Sequence, residues 1–482
     1  MSALTSAISS SSPRIGVVGA GPGGLSLARL LTEKGFADVT VIERAPHVGG
    51  KSSTYHHEGL GHEMGTCYVA DGYKTCKKWM DAAGMKIHPL LAHKIYDLEG
   101  RLVPFDEFVK GGDGLRDSFR MGAQALRYAK AWDRFHAWDL RGCPDDFADD
   151  QGRPMREQAA RPFGEWLAER GLESIARFVM RTMTIMGYGA LDRVPTAYGL
   201  RWNVPSLFLS AVRKTVGEPI PGWQHLWTHL AGFLDVRLNT TISAVTRGGE
   251  GSDFLVESDQ GSFVFDHLVL TGPLDEAARW FPFTAEERLA WGIGGEVQWR
   301  EYVTTLVDAE GWFRDADTRS FAAHACDGPA TDAGRILVAR RTGDKSAAAA
   351  ARSATRRDVY VCYQYGAPER SDAALLEILM KDLARDGAQK PKVLRQARWR
   401  YAPQLGSAAI LAGGLGRMER QQGQQRLWVS GATASHEAVD NIVDYNERLV
   451  ERMAAAFTGR DPGDAALIEA IAGRLRLRFG ET

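Results

Sequence analysis

The chain lacks several features that would mark it as a secreted, zinc-stabilised or membrane-spanning protein. Its five cysteines are an odd number, widely spaced and without a Cys-x-x-Cys pair, which argues against a disulfide framework or a structural zinc site. No apolar run approaches the roughly eighteen residues of a membrane-spanning helix. The opening residues MSALTSAISSSS have neither the positive nor the apolar segment of a secretory signal. We therefore expect a cytoplasmic protein without a transmembrane segment.

An excess of charge of one sign is also absent. The chain has 59 Lys and Arg against 60 Asp and Glu, a formal net charge of -1, so no overall field favours binding to nucleic acid. Of its 482 residues, 44% are hydrophobic and 25% are charged, which is the composition of a globular protein. This length favours two domains over one. None of these features indicates the oligomeric state.

Glycine, in contrast, is concentrated near the start of the chain, in the stretch VVGAGPGGLSLARLLTEKGF. The apolar pattern predicts a buried strand over residues 14–18, a tight loop over 19–24, a helix over 25–34 and a second strand over 39–43. This order of elements is a βαβ unit.

The loop of this unit has the G-x-G-x-x-G spacing of a dinucleotide fingerprint. Its first glycine permits a tight turn, its second lets the backbone approach a pyrophosphate, and its third allows the helix to pack closely on the strand. The positive end of the helix dipole then faces the phosphates. The predicted cofactor contacts in this loop are Gly19, Gly21, Pro22, Gly23 and Gly24.

An acidic residue follows at the end of the second predicted strand. Glu43 comes 19 residues after Gly24, where a carboxylate can accept hydrogen bonds from ribose hydroxyls and would repel a 2′-phosphate. The residues therefore disfavour NADP, and they leave NAD and FAD as alternatives.

The next residues, ERAPHVGGKSST, resemble the glutathione-reductase-type flavoproteins and, within them, the flavin amine oxidase superfamily. Members of that superfamily extend the βαβ unit with an acidic residue, a short spacer, Gly-Gly, a basic residue and small hydroxylic residues. The residues in those positions here are Glu43, Arg44, Gly49, Gly50, Lys51 and Ser52. The resemblance implies non-covalent FAD as the cofactor, with the second glycine loop near the ribityl-pyrophosphate and the lysine paired with phosphate.

The resemblance continues in four further segments along nearly the whole chain. GLGHEMGTCYV is similar to the strand and turn that pass the flavin ring, and Pro221-Gly222-Trp223 is similar to a helix start of the family. In VRLNTTISAVTR a backbone contact with adenine is implied, and LWVSGATASHEAVDNIVDYNERLV is similar to the closing flavin-contacting loop and helix. The cofactor contacts implied in these segments are Gly65, Thr66, Ile242, Gly431, Asn441 and Ile442.

Two departures weaken the case for amine oxidation. The lysine that typical amine oxidases hold near flavin N5 is missing from GEVQWREYVTTLV, which has Gln298, Trp299 and Arg300 in that region. The closing segment also lacks the usual glycine-rich stretch, and its sequence GATASHEAVDN is more similar to the branch that contains polyenoic fatty acid isomerases.

Candidate substrate-site residues come from aromatic stretches. We predict Tyr188 as a catalytic hydrogen-bond donor and Tyr68, Tyr198 and Trp202 as substrate contacts. The alternative is that these aromatic residues are ordinary packing core. In the closing loop, the pair His436-Glu437 either supplies a proton-transfer group near the substrate or faces solvent.

A metal site is not expected. The three histidines of YHHEGLGHEMG are close in sequence, but neighbouring side chains on a strand point to opposite faces and no second ligand cluster appears.

We expect an α/β fold, with a Rossmann-like FAD-binding domain and a discontinuous substrate domain of mixed sheet plus a helical insertion. The predicted FAD-binding segments are residues 1–95, 221–290 and 401–482, and the predicted substrate segments are 96–220 and 291–400. The apolar and arginine-rich stretch 465–479 predicts an amphipathic helix that packs on its own domain or touches a membrane surface.

Three functions remain open at this point. The first is an FAD-dependent oxidoreductase that passes a hydride from an activated C–H bond of a small organic substrate to flavin N5. The second is a redox-neutral flavin isomerase that moves a double bond in a polyunsaturated, fatty-acid-like substrate. The third is a flavin-binding scaffold without catalysis.

Overall fold

A computed structural model describes residues 12–90, 92–112, 114–248, 253–326, 334–342 and 357–458. The predicted amphipathic helix 465–479 lies outside these ranges.

The strands follow one another from β1 to β19. Their bounds are β1 Ile15–Val18, β2 Val39–Ile42, β3 Thr54–His57, β4 Leu60–Glu63, β5 Lys86–Pro89, β6 His93–Tyr96, β7 Leu102–Pro104, β8 Gly217–Ile220, β9 Asp235–Arg237, β10 Ile242–Arg247, β11 Phe254–Ser258, β12 Gly261–Phe265, β13 His267–Leu270, β14 Val297–Glu310, β15 Thr318–Phe321, β16 Ile336–Thr342, β17 Arg357–Tyr365, β18 Gln389–Leu405 and β19 Leu427–Val429.

The helices are numbered in the same way. Their bounds are α1 Pro22–Glu33, α2 Lys74–Ala82, α3 Phe105–Lys110, α4 Leu115–Leu140, α5 Met155–Ala160, α6 Phe163–Glu169, α7 Glu173–Thr182, α8 Thr196–Trp202, α9 Pro205–Arg213, α10 Trp223–Ala231, α11 Leu274–Ala277, α12 Ala285–Ala290, α13 Ala322–Cys326, α14 Asp372–Arg385, α15 Ser407–Leu411, α16 Gly414–Gln421 and α17 Val439–Phe457.

A five-stranded parallel sheet joins distant parts of the chain in the order β19-β13-β1-β2-β9. Its central strands are short, nearly continuous apolar runs with most side chains buried, as expected for a parallel sheet covered on both faces. Helices α1 and α17 pack against each other beside this sheet. The strands come from all three predicted FAD-binding segments, whose boundaries stay a prediction.

The first βαβ unit forms as predicted, but its helix begins three residues early, at Pro22. Proline is tolerated there because an N–H in the first turn has no partner within the helix. A Cβ on Gly24 would lie 1.9 Å from the carbonyl oxygen of Gly19. Only glycine therefore allows α1 to pack this closely on the end of β1.

Among the described residues, two larger sheets and the two-stranded pairs β3-β4 and β5-β8 complete the frame. The three-stranded sheet β10-β11-β12 contains the predicted hairpin, with β11 ending at Ser258 and β12 beginning at Gly261. A mixed seven-stranded sheet has the order β18-β14-β17-β16-β15-β6-β7 and is dominated by the long antiparallel pair β14 and β18. Helices α3 to α9 lie between β7 and β8, in the region predicted to be a helical insertion. The predicted α/β class with a Rossmann-like domain is confirmed.

None of the described helices combines the length and the apolar character that spanning a bilayer requires.

Candidate active site

Three glycine-containing turns meet at the carboxyl edge of the five-stranded sheet. One follows β1, one follows β2 and one follows β19. A Cβ placed on Gly21 would lie 3.7 Å from Cα of Gly50, and a Cβ placed on Gly23 would lie 2.9 Å from Cα of Gly431. The first turn therefore touches both of the others. In open α/β sheets, this edge is where ligands bind.

Glu43 lies directly beneath the first glycine turn. Its Oε2 accepts a hydrogen bond of 2.8 Å from the backbone N–H of Ala20, and its Oε1 accepts one of 2.8 Å from Ala45. The backbone N–H of Thr240 donates to the Glu43 carbonyl at 2.9 Å. This bond holds the segment before Ile242, which begins β10, beside the end of β2. The two residues predicted at the adenosine end of the nucleotide are therefore close together.

Arg44 lies apart from this group. It is exposed, and its guanidinium lies 3.4 Å from the carboxylate of Glu276.

The predicted flavin-side turn packs on the second glycine loop. A Cβ on Gly65 would lie 1.7 Å from the carbonyl oxygen of Lys51, so no larger residue fits there. The N–H of Thr66 donates to that same carbonyl at 3.2 Å, and the hydroxyl of Ser52 donates to the Thr66 hydroxyl at 3.0 Å. The loop predicted for the pyrophosphate and the turn predicted for the flavin ring thus form one unit.

The ammonium group of Lys51 is held by an ion pair with the closing loop. Its ammonium donates to both carboxylate oxygens of Glu437 at 2.8 Å and lies 5.4 Å from the ring centre of Trp299. The Glu437 carboxylate also accepts the N–H of Ala402 at 3.0 Å. The side chain of Glu437 is 8% exposed, so it does not face solvent. This ion pair joins the second glycine loop to the closing loop.

An aromatic cluster lies behind the closing loop, around His436. The ring of His436 stacks on Tyr188 with 4.9 Å between ring centres. Trp202 and Tyr198 are 6.0 and 6.3 Å from the same imidazole, and Tyr401 is 5.1 Å from Tyr188. We refer to Tyr188, Tyr198, Trp202, Tyr401 and His436 as the aromatic cluster.

The polar atoms of the cluster mostly bond to the backbone. The Tyr188 hydroxyl donates to the carbonyl of Glu437 at 3.1 Å, and the indole N–H of Trp202 donates to the carbonyl of Thr182 at 2.9 Å. The Tyr198 hydroxyl accepts the N–H of Leu405 at 2.8 Å. Three residues predicted to be catalytic or substrate-binding therefore lie together, and the same rings also form buried core.

His436 differs from its neighbours because neither ring nitrogen has a hydrogen-bond partner among the described residues. The residue is 1% exposed. Burial, with a smaller contribution from the positive charge of Arg201, lowers the pKa of His436 from 6.5 to about 3. The imidazole is thus neutral near pH 7, with one donor and one acceptor available. Buried polar atoms without partners are unusual and fit a polar group bound beside them.

Tyr68 lies in a different environment, and no described ring contact joins it to the aromatic cluster. The guanidinium of Arg181 donates to its hydroxyl at 3.3 Å and to His93 Nε2 at 3.4 Å. Arg181 is 6% exposed and forms no ion pair with a described carboxylate. Burial raises the pKa of Tyr68 and holds the pKa of His93 well below its ordinary value.

A buried charged network, which the sequence pattern does not predict, lies next to this region. Arg340 is fully buried and donates to the Glu218 carboxylate at 2.7 Å and to the backbone carbonyl of Glu63 at 2.8 Å. Burial raises the pKa of Glu63 to about 8, although its carboxylate accepts the N–H of Trp223 and the hydroxyl of Thr54. These residues are far apart in the chain, so only the fold brings them together.

A cavity of about 960 Å³ opens beside the aromatic cluster. Trp202 and the predicted Asn441 both line it, with Tyr73 and Trp132. The Asn441 side-chain amide donates to the Arg201 carbonyl at 2.7 Å, and the neighbouring Ile442 is buried in the first turns of α17.

In the described part of the chain, no group of three or more His, Cys, Asp or Glu side chains is arranged to hold a metal ion. The glycine turns, Glu43 and the unpartnered His436 together fit a large dinucleotide with a polar ring system. The individual contact roles stay predictions.

Comparison with known proteins identifies the same fold. Residues 17–83 match the family model described as an NAD(P)-binding Rossmann-like domain. The polyenoic fatty acid isomerase of Ptilota filicina is 23% identical over 288 residues, which are 55% of this chain and 57% of that protein. Polyamine oxidase 1 of Zea mays is 39% identical over 57 residues, which are 12% of this chain and 11% of that protein. The chain thus matches little more than half the length of the first relative.

Solved structures extend the likeness over nearly the whole chain. A CLA-producing fatty acid isomerase from P. acnes has a TM-score of 0.76 at 22% identity, covering 92% of this chain and 99% of that one. A putrescine oxidase bound to putrescine has a TM-score of 0.66 at 17% identity, with the same coverage. These matches show that the chain shares its fold with a fatty acid isomerase and a putrescine oxidase, as the predicted resemblance implies.

Proposed function

We propose that the chain is an FAD-dependent enzyme that removes a hydride from an activated C–H bond of a small organic substrate. The observation that carries this proposal is the meeting of three glycine turns at the carboxyl edge of the parallel sheet, the first of which is hydrogen-bonded to Glu43. This arrangement suits a dinucleotide whose ribose binds the carboxylate and whose pyrophosphate faces the N-terminus of α1. When bound, FAD supplies the hydride acceptor.

The protein's own residues would position the substrate and exclude water. The aromatic cluster offers flat apolar surfaces, and few of its polar atoms are left without a partner. Neutral His436 can donate to or accept from a bound polar group without adding charge. The ion pair of Lys51 with Glu437 fixes the closing loop against the second glycine loop.

In this proposal Tyr188 mainly holds the closing loop in place and does not react with the substrate. Burial raises its pKa, so its hydroxyl remains a donor, and that donor is engaged by the Glu437 carbonyl. The bond holds the loop that carries His436. The predicted catalytic role of Tyr188 would require the hydroxyl to turn from this carbonyl towards the substrate.

A redox-neutral double-bond isomerase is the second candidate. The long structural match to a fatty acid isomerase favours it, as does the replacement of the expected lysine by Gln298, Trp299 and Arg300 at the start of β14. In this case the hydride taken from one carbon returns to another carbon of the same substrate, so no external acceptor is needed. A non-catalytic flavin scaffold is the third candidate.

Product mass under anaerobic conditions separates the three. The flavin-loaded protein is incubated with putrescine and with a fatty acid that has two double bonds separated by one methylene group. A product lighter by two hydrogens, or for putrescine the aldehyde and ammonia formed when water hydrolyses the imine, supports the oxidoreductase if the bound flavin is reduced at the same time. An unchanged mass with new conjugated ultraviolet absorbance supports the isomerase. No reaction with a broader panel of amines, alcohols and polyenes would contradict an enzymatic function and favour the scaffold. The Gly21→Ala variant, expected to load flavin poorly, is the control.

A further inference from the structure

Helix α4 has two apolar faces, although a helix on the surface of a globular protein needs only one. Its inner face is buried through Tyr128, Trp132 and Phe135. On its other side, Leu115, Phe119 and Leu126 are 80%, 77% and 76% exposed. These are the three most exposed large apolar side chains among the described residues.

The exposed apolar residues form one stripe. At about 100° per residue, Leu115, Phe119 and Leu126 lie within roughly 40° of one another and on the side of the helix opposite Tyr128. The stripe ends before Asp133, which is exposed on the same side of the helix about two turns after Leu126. No described residue covers it. Single exposed leucines are ordinary in soluble proteins, but an aligned stripe of this exposure indicates an interaction surface.

A strip of positive charge runs along one side of this stripe. Five basic residues lie within about 80° of one another on α4. They are Arg116, Arg120, Arg127, Lys130 and Arg134, and all five are exposed. Of these, Arg120 is paired with Asp117 on the same helix. Because the whole chain has a net charge of only -1, this charge is a local feature of the surface.

We propose that this face of α4 docks on an anionic lipid bilayer, with the helix lying in the plane of the interface. An apolar stripe beside a basic strip is the pattern of helices that bind at the boundary between acyl chains and anionic headgroups. A second copy of the chain fits less well. Three side chains bury far less than the roughly 1,200–2,000 Å² of a stable protein interface, and a basic strip would not be complementary to itself.

Helix α4 also forms part of the wall of the cavity beside the aromatic cluster. Trp132 and Phe135 on its inner face line the 960 Å³ cavity that Trp202 borders. Docking of α4 would therefore bring this cavity close to the lipid surface. The inference itself does not depend on the proposed function, because it concerns the outer face of the helix.

Vesicle flotation with the full chain tests the proposal. We expect the protein to float with vesicles that contain phosphatidylglycerol, to bind pure phosphatidylcholine vesicles much more weakly, and to be released by salt. Replacing all three stripe residues by serine should lower binding by at least tenfold. The exposed pair Leu289→Ser and Leu411→Ser, elsewhere on the surface, is the matched control and should bind like the unchanged protein.

The charge contribution is tested separately. Neither Arg116 nor Lys130 forms an ion pair with a described residue, and we expect the double variant Arg116→Gln and Lys130→Gln to lose about fivefold in binding per charge removed. Circular dichroism and thermal melting of every variant show whether it folds. Absence of binding by the folded, unchanged protein, or equal binding by the serine variant, would overturn the proposal.

Other occupants are distinguished by labelling. In a Phe119→Cys variant, the thiol should react rapidly with a maleimide reagent in dilute solution and be protected by anionic vesicles. Protection without vesicles that disappears on dilution would indicate a second copy of the chain. Protection that persists on dilution would indicate another segment of the same chain. Either result would contradict lipid as the occupant.

Discussion

Alanine substitutions at Gly21 and Gly24 distinguish a glycine that faces a bound ligand from one that is required for packing of the fold. A Cβ at this position meets nothing closer than Cα of Gly50 at 3.7 Å, which is ordinary contact. The backbone of Gly21, with φ of -81°, is accessible to any residue. The same substitution at Gly24 would place a methyl group 1.9 Å from the Gly19 carbonyl. Gly21→Ala should therefore fold, and Gly24→Ala should be strongly destabilised.

The expected change in stability of Gly21→Ala is small because two effects oppose each other. Alanine restricts the unfolded chain, which stabilises the fold by about 0.4–1 kcal/mol. It is also a poorer residue than glycine at the N-cap of a helix, at a cost of roughly the same size. The free energy of unfolding should thus change by less than about 1 kcal/mol. If the turn approaches a pyrophosphate, however, the added methyl occupies that space, and FAD affinity should fall at least tenfold, or about 1.4 kcal/mol.

The assay compares flavin content and urea unfolding of the two alanine variants with those of the unchanged protein. Gly21→Ala is predicted to keep its unfolding midpoint and lose flavin, whereas Gly24→Ala should lose both. Full flavin occupancy in a folded Gly21→Ala variant would refute the assignment of this turn to the cofactor.

Three further predictions concern the residues around the closing loop. Lys51→Met leaves the mostly buried Glu437 carboxylate without its cation, so the free energy of unfolding from urea titration should fall by about 1–2 kcal/mol. The double variant with Glu437→Gln should recover part of this loss, and an unchanged unfolding midpoint in Lys51→Met would contradict the prediction. Stability should fall as the pH drops below 6.5, because unfolded His436 gains a proton there while the folded residue, with a pKa of about 3, does not. The urea midpoint of unfolding should therefore differ less between about pH 5 and pH 7.5 in His436→Phe than in the unchanged protein. The same difference in both proteins would refute the inference that His436 is buried as a neutral imidazole. Tyr188→Phe removes the bond to the Glu437 carbonyl but keeps the ring, so it should cost about 0.5–1.5 kcal/mol in thermal unfolding and leave flavin content unchanged; release of flavin would show that the hydroxyl serves the cofactor.

Local sequence pattern predicted the elements whose causes are local. The βαβ unit and the hairpin that turns before Gly261 depend on apolar periodicity and glycine, and both form where expected. Helix α1 begins at Pro22, three residues before the predicted start, because the fixed φ of proline suits the first helical turn.

Contacts between distant residues could not be predicted in the same way. The pairing of Lys51 with Glu437 and the bond of Arg340 to the Glu63 carbonyl depend on how distant segments of the chain are assembled. Composition gives no sign of either. The aromatic residues around Tyr188 were visible in the sequence, but their stacking on His436 was not.

The most direct test of the account is the absorption spectrum of the purified protein before and after heat denaturation. We expect the paired near-ultraviolet and blue bands of an oxidised flavin, with the yellow chromophore released into the supernatant on denaturation because it is held without a covalent bond. A colourless protein that also fails to take up added FAD would contradict it, since the glycine turns above Glu43 would then hold another nucleotide, such as NAD.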